Sequence, residues 1–262
     1  MIRNIADNAQ LIWAFVVRDL KGRYIGSVMG LFWSVIHPLS QILVFSIIFS
    51  MINRGALVGL EEGGLSYTIF LCSGLLPWIA FQEFQMRVTG VYVANANLIK
   101  KVQFPEEILV IQELISSLIT LVISFTIFFI IIIFFSPWTP TIHILLLPGI
   151  LALQILFSLG IAFFMSTINV FLRDIGQIMS VVLLTWFWLS PIVYPREIIF
   201  KEGPPYLVEN LLVPEWLHFS YTLNPWYYLS KWYREIIYLE IVPEWPEVMG
   251  FVIVTVAVLT IG

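Results

Sequence analysis

Six long apolar runs constrain the fold of this 262-residue chain more than any other feature. A helix needs about 20 consecutive apolar residues to cross about 30 Å of hydrocarbon. Only 11% of the residues are charged, against about 25% in a soluble domain, so a soluble enzyme, a disordered chain and a disulfide scaffold are excluded. We predict an all-α integral membrane protein with six transmembrane helices. The predicted spans are Leu31–Ile52, Tyr67–Phe81, Ile108–Phe135, Ile142–Ile168, Ile178–Tyr194 and Val248–Gly262.

Two of these spans are irregular. Pro77 interrupts the second run, which we expect to resume as a helix and to reach about Val93. The sixth run offers only 15 residues up to Gly262. We therefore expect the sequence to stop inside a span, or a tail to follow it.

The distribution of Lys and Arg predicts the orientation. If the N-terminus is cytoplasmic, the inner segments hold eight of these residues and the outer segments hold five. The prediction is a multi-pass protein with both termini on the cytoplasmic side.

Residues 1–30 precede the first span and predict an amphipathic helix that lies in the membrane interface. At about 100° per residue, Arg18 and Arg23 fall opposite an apolar arc. The arc is formed by Ile2, Ile5, Ala9, Ile12, Trp13, Val16 and Leu20. Such a helix serves either as a plain anchor or as a docking surface, and the pattern does not separate the two.

The longest segment between spans, residues 195–246, carries ten Trp and Tyr residues. Trp and Tyr favour the membrane–water boundary, where one part of the ring is apolar and another is wet. We predict short re-entrant or interfacial helices on the outer side between the fifth and sixth spans. An aromatic belt that only anchors the protein is the alternative.

Sequence motifs for covalent chemistry are absent. The chain has no Gly-Lys dipeptide and hence no Walker A loop, and it has neither H-E-x-x-H nor G-x-S-x-G. Cys72 is the only cysteine, and His37, His143 and His218 lie too far apart for a metal site. We predict no catalytic residue and no metal ligand. The net charge of −4 gives no basic excess that could hold nucleic acid.

Glu113 is the main ionisable residue within the predicted spans. Proton-coupled carriers place acids near the midplane of the membrane, whereas Glu113 lies near the inner end of its span. We expect it to pair with a neighbouring cation or to face the interface.

Two inner segments connect the spans. In the first, Lys100 and Lys101 precede Phe104, Pro105 and Glu106, and the proline should stop one helix and open the next. This segment is either an ordinary capped loop or a rigid knob for a cytoplasmic partner.

The second inner segment is a tight turn that contains Arg173 and Asp174, which could pair and fix the angle between two spans. We expect a structural role for this turn rather than a catalytic one.

Six motifs occur in order along the chain and together resemble the membrane subunit of type-2 ABC exporters of bacterial surface polysaccharides, a family of O-antigen, capsule and wall teichoic acid permeases. The motifs are RDLKGRYIGSVMGLFWSVIHPL (Arg18–Leu39), SGLLPW (Ser73–Trp78), NLIKKVQFPEEIL (Asn97–Leu109), NVFLRDI (Asn169–Ile175), SPIVY (Ser190–Tyr194) and NP (Asn224–Pro225).

This resemblance implies a six-span membrane domain over residues 31–262 that works as a homodimer in the bacterial inner membrane. It also implies two copies of a separate ATPase subunit, which would carry the ATP and Mg, so that this chain needs no cofactor. The implied cargo is a lipid-linked polysaccharide, with O-antigen as the first candidate. Membrane lipids are expected to surround the subunit.

Residue roles follow from the resemblance by position. Contacts with the ATPase are implied for Arg18, Arg23, Lys100, Lys101, Phe104, Pro105 and Glu106. The substrate channel is implied to include Trp33, Trp186, Trp188 and Tyr194. Residues 195–246 resemble the outer gate region, with Trp226, Tyr227 and Tyr228 as gate residues. Sugar rings lie well on aromatic faces, which supports an aromatic channel.

Three functions remain open from the sequence. The first is the permease for O-antigen, or for capsule or teichoic acid. The second is a type-2 ABC permease for a small lipid or drug, which would need no continuous aromatic path. The third is a membrane-embedded transferase, although the inner acids have no recognisable catalytic spacing.

Overall fold

A computed structural model describes residues 8–23, 29, 32–52, 64–194 and 220–262, and every regular element in these ranges is helical. The predicted all-α class is confirmed for this part of the chain. The α-helices are α1 (Ala9–Gly22), α2 (Trp33–Ile52), α3 (Gly64–Thr89), α4 (Val91–Ala94), α5 (Ala96–Lys101), α6 (Glu107–Phe135), α7 (Leu147–Phe171), α8 (Ile175–Leu189), α9 (Pro225–Arg234) and α10 (Trp245–Ile261). A 3₁₀ turn, Ile142–Leu146, leads into α7, and a π turn, Glu235–Leu239, extends α9.

Two helical segments are each long and apolar enough to cross a membrane, namely Glu107–Phe135 and Ile142–Phe171. In the most apolar 18 residues of each segment, only 22% of the residues are buried inside the chain in the first and 33% in the second. The core helix of a soluble protein would be mostly buried, so these faces need lipid or another subunit to cover them. Shorter apolar helices occur at Val35–Val44, Ile175–Leu189 and Trp245–Ile261. The count of six spans therefore stays a prediction.

The second predicted span differs from the structure at Pro77. Helix α3 runs through Pro77 without a break, so the predicted interruption is wrong. A proline removes one backbone hydrogen bond from a helix, but Trp78 and Phe81 next to it are buried in the core. Tertiary packing of this kind supplies most helix stability in proteins and outweighs the local defect.

Helix α1 packs against α6 through a narrow apolar face. Ile12 and Val16 are buried and join a cluster with Val88 of α3 and Ile108 of α6. Trp13, on the predicted apolar arc, is 58% exposed and points away from the chain, as a ring at a membrane interface would. Residues 1–7, 24–28 and 30 of the predicted interface segment lie outside the described residues.

The aromatic residues after residue 220 divide into a buried and an exposed group. Trp226, Trp232 and Tyr233 of α9 are at most 1% exposed and belong to the protein core, whereas Trp245 at the start of α10 is 73% exposed. The re-entrant or interfacial placement of the short helix α9 stays a prediction. The core includes residues of α3, α6, α7, α8 and α9. Residues 195–219 of the predicted gate segment lie outside the described residues.

Candidate functional site

An ionic network joins α1 to α3 and α6 at the end of the bundle that carries α4 and α5, which we call the inner end. Arg23 Nη2 lies 2.7 Å from Asp19 Oδ2, and Arg23 Nη1 lies 2.9 Å from Glu83 Oε1 on α3. Arg87, also on α3, lies 3.3 Å from Asp19 and 3.4 Å from Glu113 of α6. The five side chains are between 12% and 31% exposed, so salt screens this network less than it would a surface pair.

Arg87 is the centre of the network. Its Nη2 donates a hydrogen bond to Ser117 Oγ at 3.0 Å, and Gln112 Nε2 donates to Glu113 Oε1 at 3.0 Å. The expectation that Glu113 pairs with a neighbouring cation is confirmed. Burial by itself would raise the pKa of the Asp19 carboxyl, but the hydrogen bond and charge of Arg23 and the charge of Arg87 hold that pKa below 3.8.

The sequence indicates two of the five ion pairs in this network. Asp19 and Arg23, and likewise Glu83 and Arg87, are four residues apart and therefore share a helix face. The contacts between helices, such as the one from Arg23 to Glu83, join residues 60 positions apart and have no such signal. Sequence reasoning assigned Arg23 to the partner surface, but it missed the role of Asp19, Glu83 and Arg87.

The structure brings the two predicted partner-contact segments together. The rings of Phe15 on α1 and Phe104 in the loop before α6 meet edge to face, 6.0 Å apart. The Arg18 guanidinium lies 4.7 Å from the Phe15 ring centre. Lys100 and Lys101 at the end of α5 are exposed. The Phe15–Phe104 contact therefore joins the two segments, and Pro105 and Glu106 precede α6 directly.

The inner turn between α7 and α8 contains Arg173 and Asp174, as expected, and both side chains are exposed. Within the described residues no ion pair joins them. Instead, the Asp174 carbonyl accepts backbone hydrogen bonds from Gln177 and Ile178, which start α8.

An aromatic cluster fills the core beneath the first turn of α9, within about two turns of the ionic network along α3. We call the end of the bundle opposite the network the outer end. The rings of Trp78 and Phe81 each lie 4.9 Å from the Trp226 ring. Trp186 of α8 meets Trp78 at 6.0 Å and Phe81 at 5.6 Å. Contacts of this kind add about 0.5–1.5 kcal/mol per pair to simple burial, so α3 holds both α9 and α8 firmly.

Asn224 fixes the start of α9. Its Oδ1 accepts hydrogen bonds from the backbone N–H of Trp226 at 3.0 Å and from Trp186 Nε1 at 2.7 Å. Its Nδ2 donates to Ser190 Oγ at 2.9 Å. Asn as N-cap followed by Pro at the first helical position is a strong start signal, so the NP motif could have located this helix from sequence alone.

Arg234 fixes the other end of α9. It is 6% exposed, and its guanidinium donates to the carbonyls of Phe70, Pro191 and Ile192. It also lies 3.9 Å above the Phe70 ring. Arg234 therefore joins α3, α9 and the turn after α8.

The predicted channel residues divide into two groups. Trp33 and Trp188 are 37% and 57% exposed on the outside of the chain. Trp186 and Tyr194 are only partly exposed, and Tyr194 hydrogen-bonds with Tyr221 and with the Trp188 carbonyl. Of the predicted gate residues, Trp226 and Tyr227 are buried, and Tyr228 is partly exposed and donates to the Thr222 carbonyl. The channel and gate roles stay predictions.

Comparison with known proteins gives consistent results. Residues 10–238 match the family described as ABC-2 type transporter. The chain is 27% identical to an O-antigen export system permease protein RfbA of Myxococcus xanthus, and the match covers 99% of this chain and 92% of that relative. A protein with the same description from Klebsiella pneumoniae is 30% identical over 70% of this chain and 68% of the relative. A polysialic acid transport protein KpsM of Escherichia coli is 22% identical over 76% of each chain.

Because the family match extends over most of its length, the chain belongs to the ABC-2 type transporter family. It is a membrane subunit of a transporter in the inner membrane.

Proposed function

We propose that this chain is the permease of an ATP-driven exporter that moves a lipid-linked polysaccharide, with O-antigen as the first candidate, across the inner membrane. The observation that carries the proposal is the similarity to O-antigen export permeases, one of which aligns with 99% of the chain. The weaker similarity to polysialic acid transport proteins makes a capsular polysaccharide the second candidate.

The proposed driving force is ATP hydrolysis on a separate subunit that binds the inner end. The 262 residues contain no Walker A loop. The exposed cations Arg18, Lys100 and Lys101 lie on the two segments that the Phe15–Phe104 contact joins, and these segments would form the docking site for that subunit. The ionic network behind it would pass movement of α1 to α3 and α6, because Arg87 contacts carboxylates of both α1 and α6. In this orientation the N-terminus is cytoplasmic.

The proposed assembly is a homodimer with two ATPase subunits. The faces of α2 and α8 that the chain leaves uncovered are strongly apolar, with Ile47 and Val181 58% and 64% exposed. Trp33 and Trp188 lie on these two helices, so pairing of two copies there would place both rings along a shared path. Such a path suits the sliding of a polymer, since aromatic faces contact successive sugars without holding one tightly.

Deletion of the gene in its own host tests the function. The expected result is loss of the surface polysaccharide and accumulation of a lipid-linked glycan that remains inaccessible from outside the inner membrane. Complementation with wild type should restore export, whereas Phe104→Ala should restore membrane insertion but not export. Chemical analysis of the accumulated glycan separates O-antigen from capsule. Unchanged surface polysaccharide in the deletion strain would refute the proposal.

A further inference from the structure

One exposed face of α2 combines apolar and polar side chains. Its members follow one another at intervals of three or four residues, so they form a single stripe along the helix. They are Trp33, His37, Ser40, Val44 and Ile47, and all of them are exposed. The His37 ring lies beside the Trp33 ring, with the two centroids 6.5 Å apart. Among the described residues, none forms a hydrogen bond with the imidazole.

Lipid is a poor environment for the His37 side chain. Ionisable residues within membrane spans almost always face the interior of a helix bundle or a water-filled cavity. His37 belongs to the predicted span Leu31–Ile52, yet it is exposed on the outside of its own chain. In contrast, none of the exposed side chains that the structure describes on α6, α7 and α10 is ionisable, as expected of faces that lipid covers. The α2 stripe therefore needs a polar neighbour from outside the chain.

The uncovered face of α8 has the same combination of side chains. Ile178, Val181, Thr185 and Trp188 form its exposed stripe. A helical threonine often donates to the carbonyl four residues earlier, as Thr126 does to Val122. The Thr185 hydroxyl makes no such bond within the described part of the chain. Trp33 and Trp188 thus each have, one helical turn away, a side chain that is free to form hydrogen bonds.

We propose that His37 and Thr185 bind hydroxyl groups of the transported polysaccharide while Trp33 and Trp188 contact the faces of its sugar rings. An imidazole and a hydroxyl can each donate and accept a hydrogen bond, as a sugar hydroxyl can. One helical turn is about 5.4 Å, so one sugar or two neighbouring sugars can touch both members of a pair. The inference rests on the proposed function and on the pairing of two copies along α2 and α8.

Photo-crosslinking in membranes of the host tests the contact at α2. With p-benzoylphenylalanine in place of His37 in the full-length chain, illumination should give a ladder of larger species that stain for carbohydrate. The same probe at Val122, which is 58% exposed on α6, should give no ladder. A cross-link from position 37 only to a second copy of the chain, or only to lipid, would overturn the proposal.

Conservative variants test the hydrogen bonds without a bulky probe. His37→Leu should lower export per membrane-inserted chain about tenfold, the effect of one lost hydrogen bond, whereas His37→Gln keeps a donor and an acceptor and should export nearly as wild type does. Thr185→Val should also lower export, and Thr185→Ser should not. The matched control is Thr126→Val, since Thr126 is an exposed threonine of α6, and it should export normally.

The outcomes separate this inference from the proposed function. Equal losses in His37→Leu and His37→Gln would indicate a role in packing and overturn the inference. Normal export by both His37→Leu and Thr185→Val, in a host where deletion of the gene abolishes export, would overturn this inference alone. Unchanged surface polysaccharide in the deletion strain would instead refute the proposed function.

Discussion

Arg87 Nη1 lies 3.3 Å from Asp19 Oδ2, and this contact joins helix α3 to helix α1. Arg87 also pairs with Glu113 of α6, so one side chain holds three helices. Partly buried ion pairs contribute little by themselves, but loss of the shared partner leaves carboxylates uncompensated.

Arg87→Met should therefore lower the free energy of unfolding by about 1–3 kcal/mol, because Asp19 and Glu113 both lose a cation. Thermal unfolding of the purified protein in detergent measures this change. Lys21→Met is the control, since Lys21 is an exposed cation on α1 and its loss should change little. Equal midpoints for the two variants would contradict the central role of Arg87.

Gly160→Ala should loosen the contact between α7 and α10. A Cβ atom at Gly160 would lie 2.8 Å from the backbone carbon of Val258 and 2.9 Å from the nitrogen of Leu259. Overpacking of this kind costs about 1–3 kcal/mol, which a shift of the unfolding midpoint would reveal. Gly149→Ala has open space and should leave stability unchanged or slightly higher. A Gly160→Ala protein as stable as Gly149→Ala would show that the two helices do not approach so closely.

Asn224→Ala should destabilise the start of α9 by about 1–2 kcal/mol, since the N-cap is lost. The same change leaves Trp186 Nε1 without its acceptor. Asn224→Ser keeps an N-cap oxygen without burying a charge and should be milder. Limited proteolysis near α9 measures the opening, and equal cleavage of the two variants would argue against the cap.

Trp188→Ala should affect polysaccharide export, whereas Trp186→Ala should affect the stability of the protein. Trp188 is 57% exposed, so its loss should reduce polysaccharide export but not the amount of folded protein. Trp186 packs on Trp78, Phe81 and Phe157, and its loss should lower stability by about 3–5 kcal/mol. Export divided by protein level in the membrane separates the two effects. Normal export by Trp188→Ala would remove Trp188 from the channel.

The helices after residue 100 were predictable because apolar runs and breaker residues act locally. Pro105 separates α5 from α6 where expected, and α6 begins one residue before the predicted Ile108. The NP motif marks the start of α9 for the same reason. Pro77 misled the prediction because packing around Trp78 outweighed the local rule.

The long-range polar contacts were not predictable from one sequence. Arg234 and Phe70 are 164 positions apart, and nothing near Arg234 indicates that its guanidinium lies among carbonyls. The aromatic residues of α9 were ambiguous for a related reason, since the same Trp and Tyr content suits a membrane boundary and a packed core. Only the fold decides between the two.

The side chain of Gln154 on α7 uses both ends of its amide. Its Nε2 donates to the Pro77 carbonyl of α3 at 3.1 Å, and its Oε1 accepts from the Tyr233 hydroxyl of α9 at 2.8 Å. Three helices thus share one buried amide, and Arg234 adds a second tie between α3 and α9. Such a unit resists bending within itself and moves as one rigid body. If two copies pair as proposed, an export path between them would widen when whole subunits tilt apart, with each α9 carried along on its own scaffold.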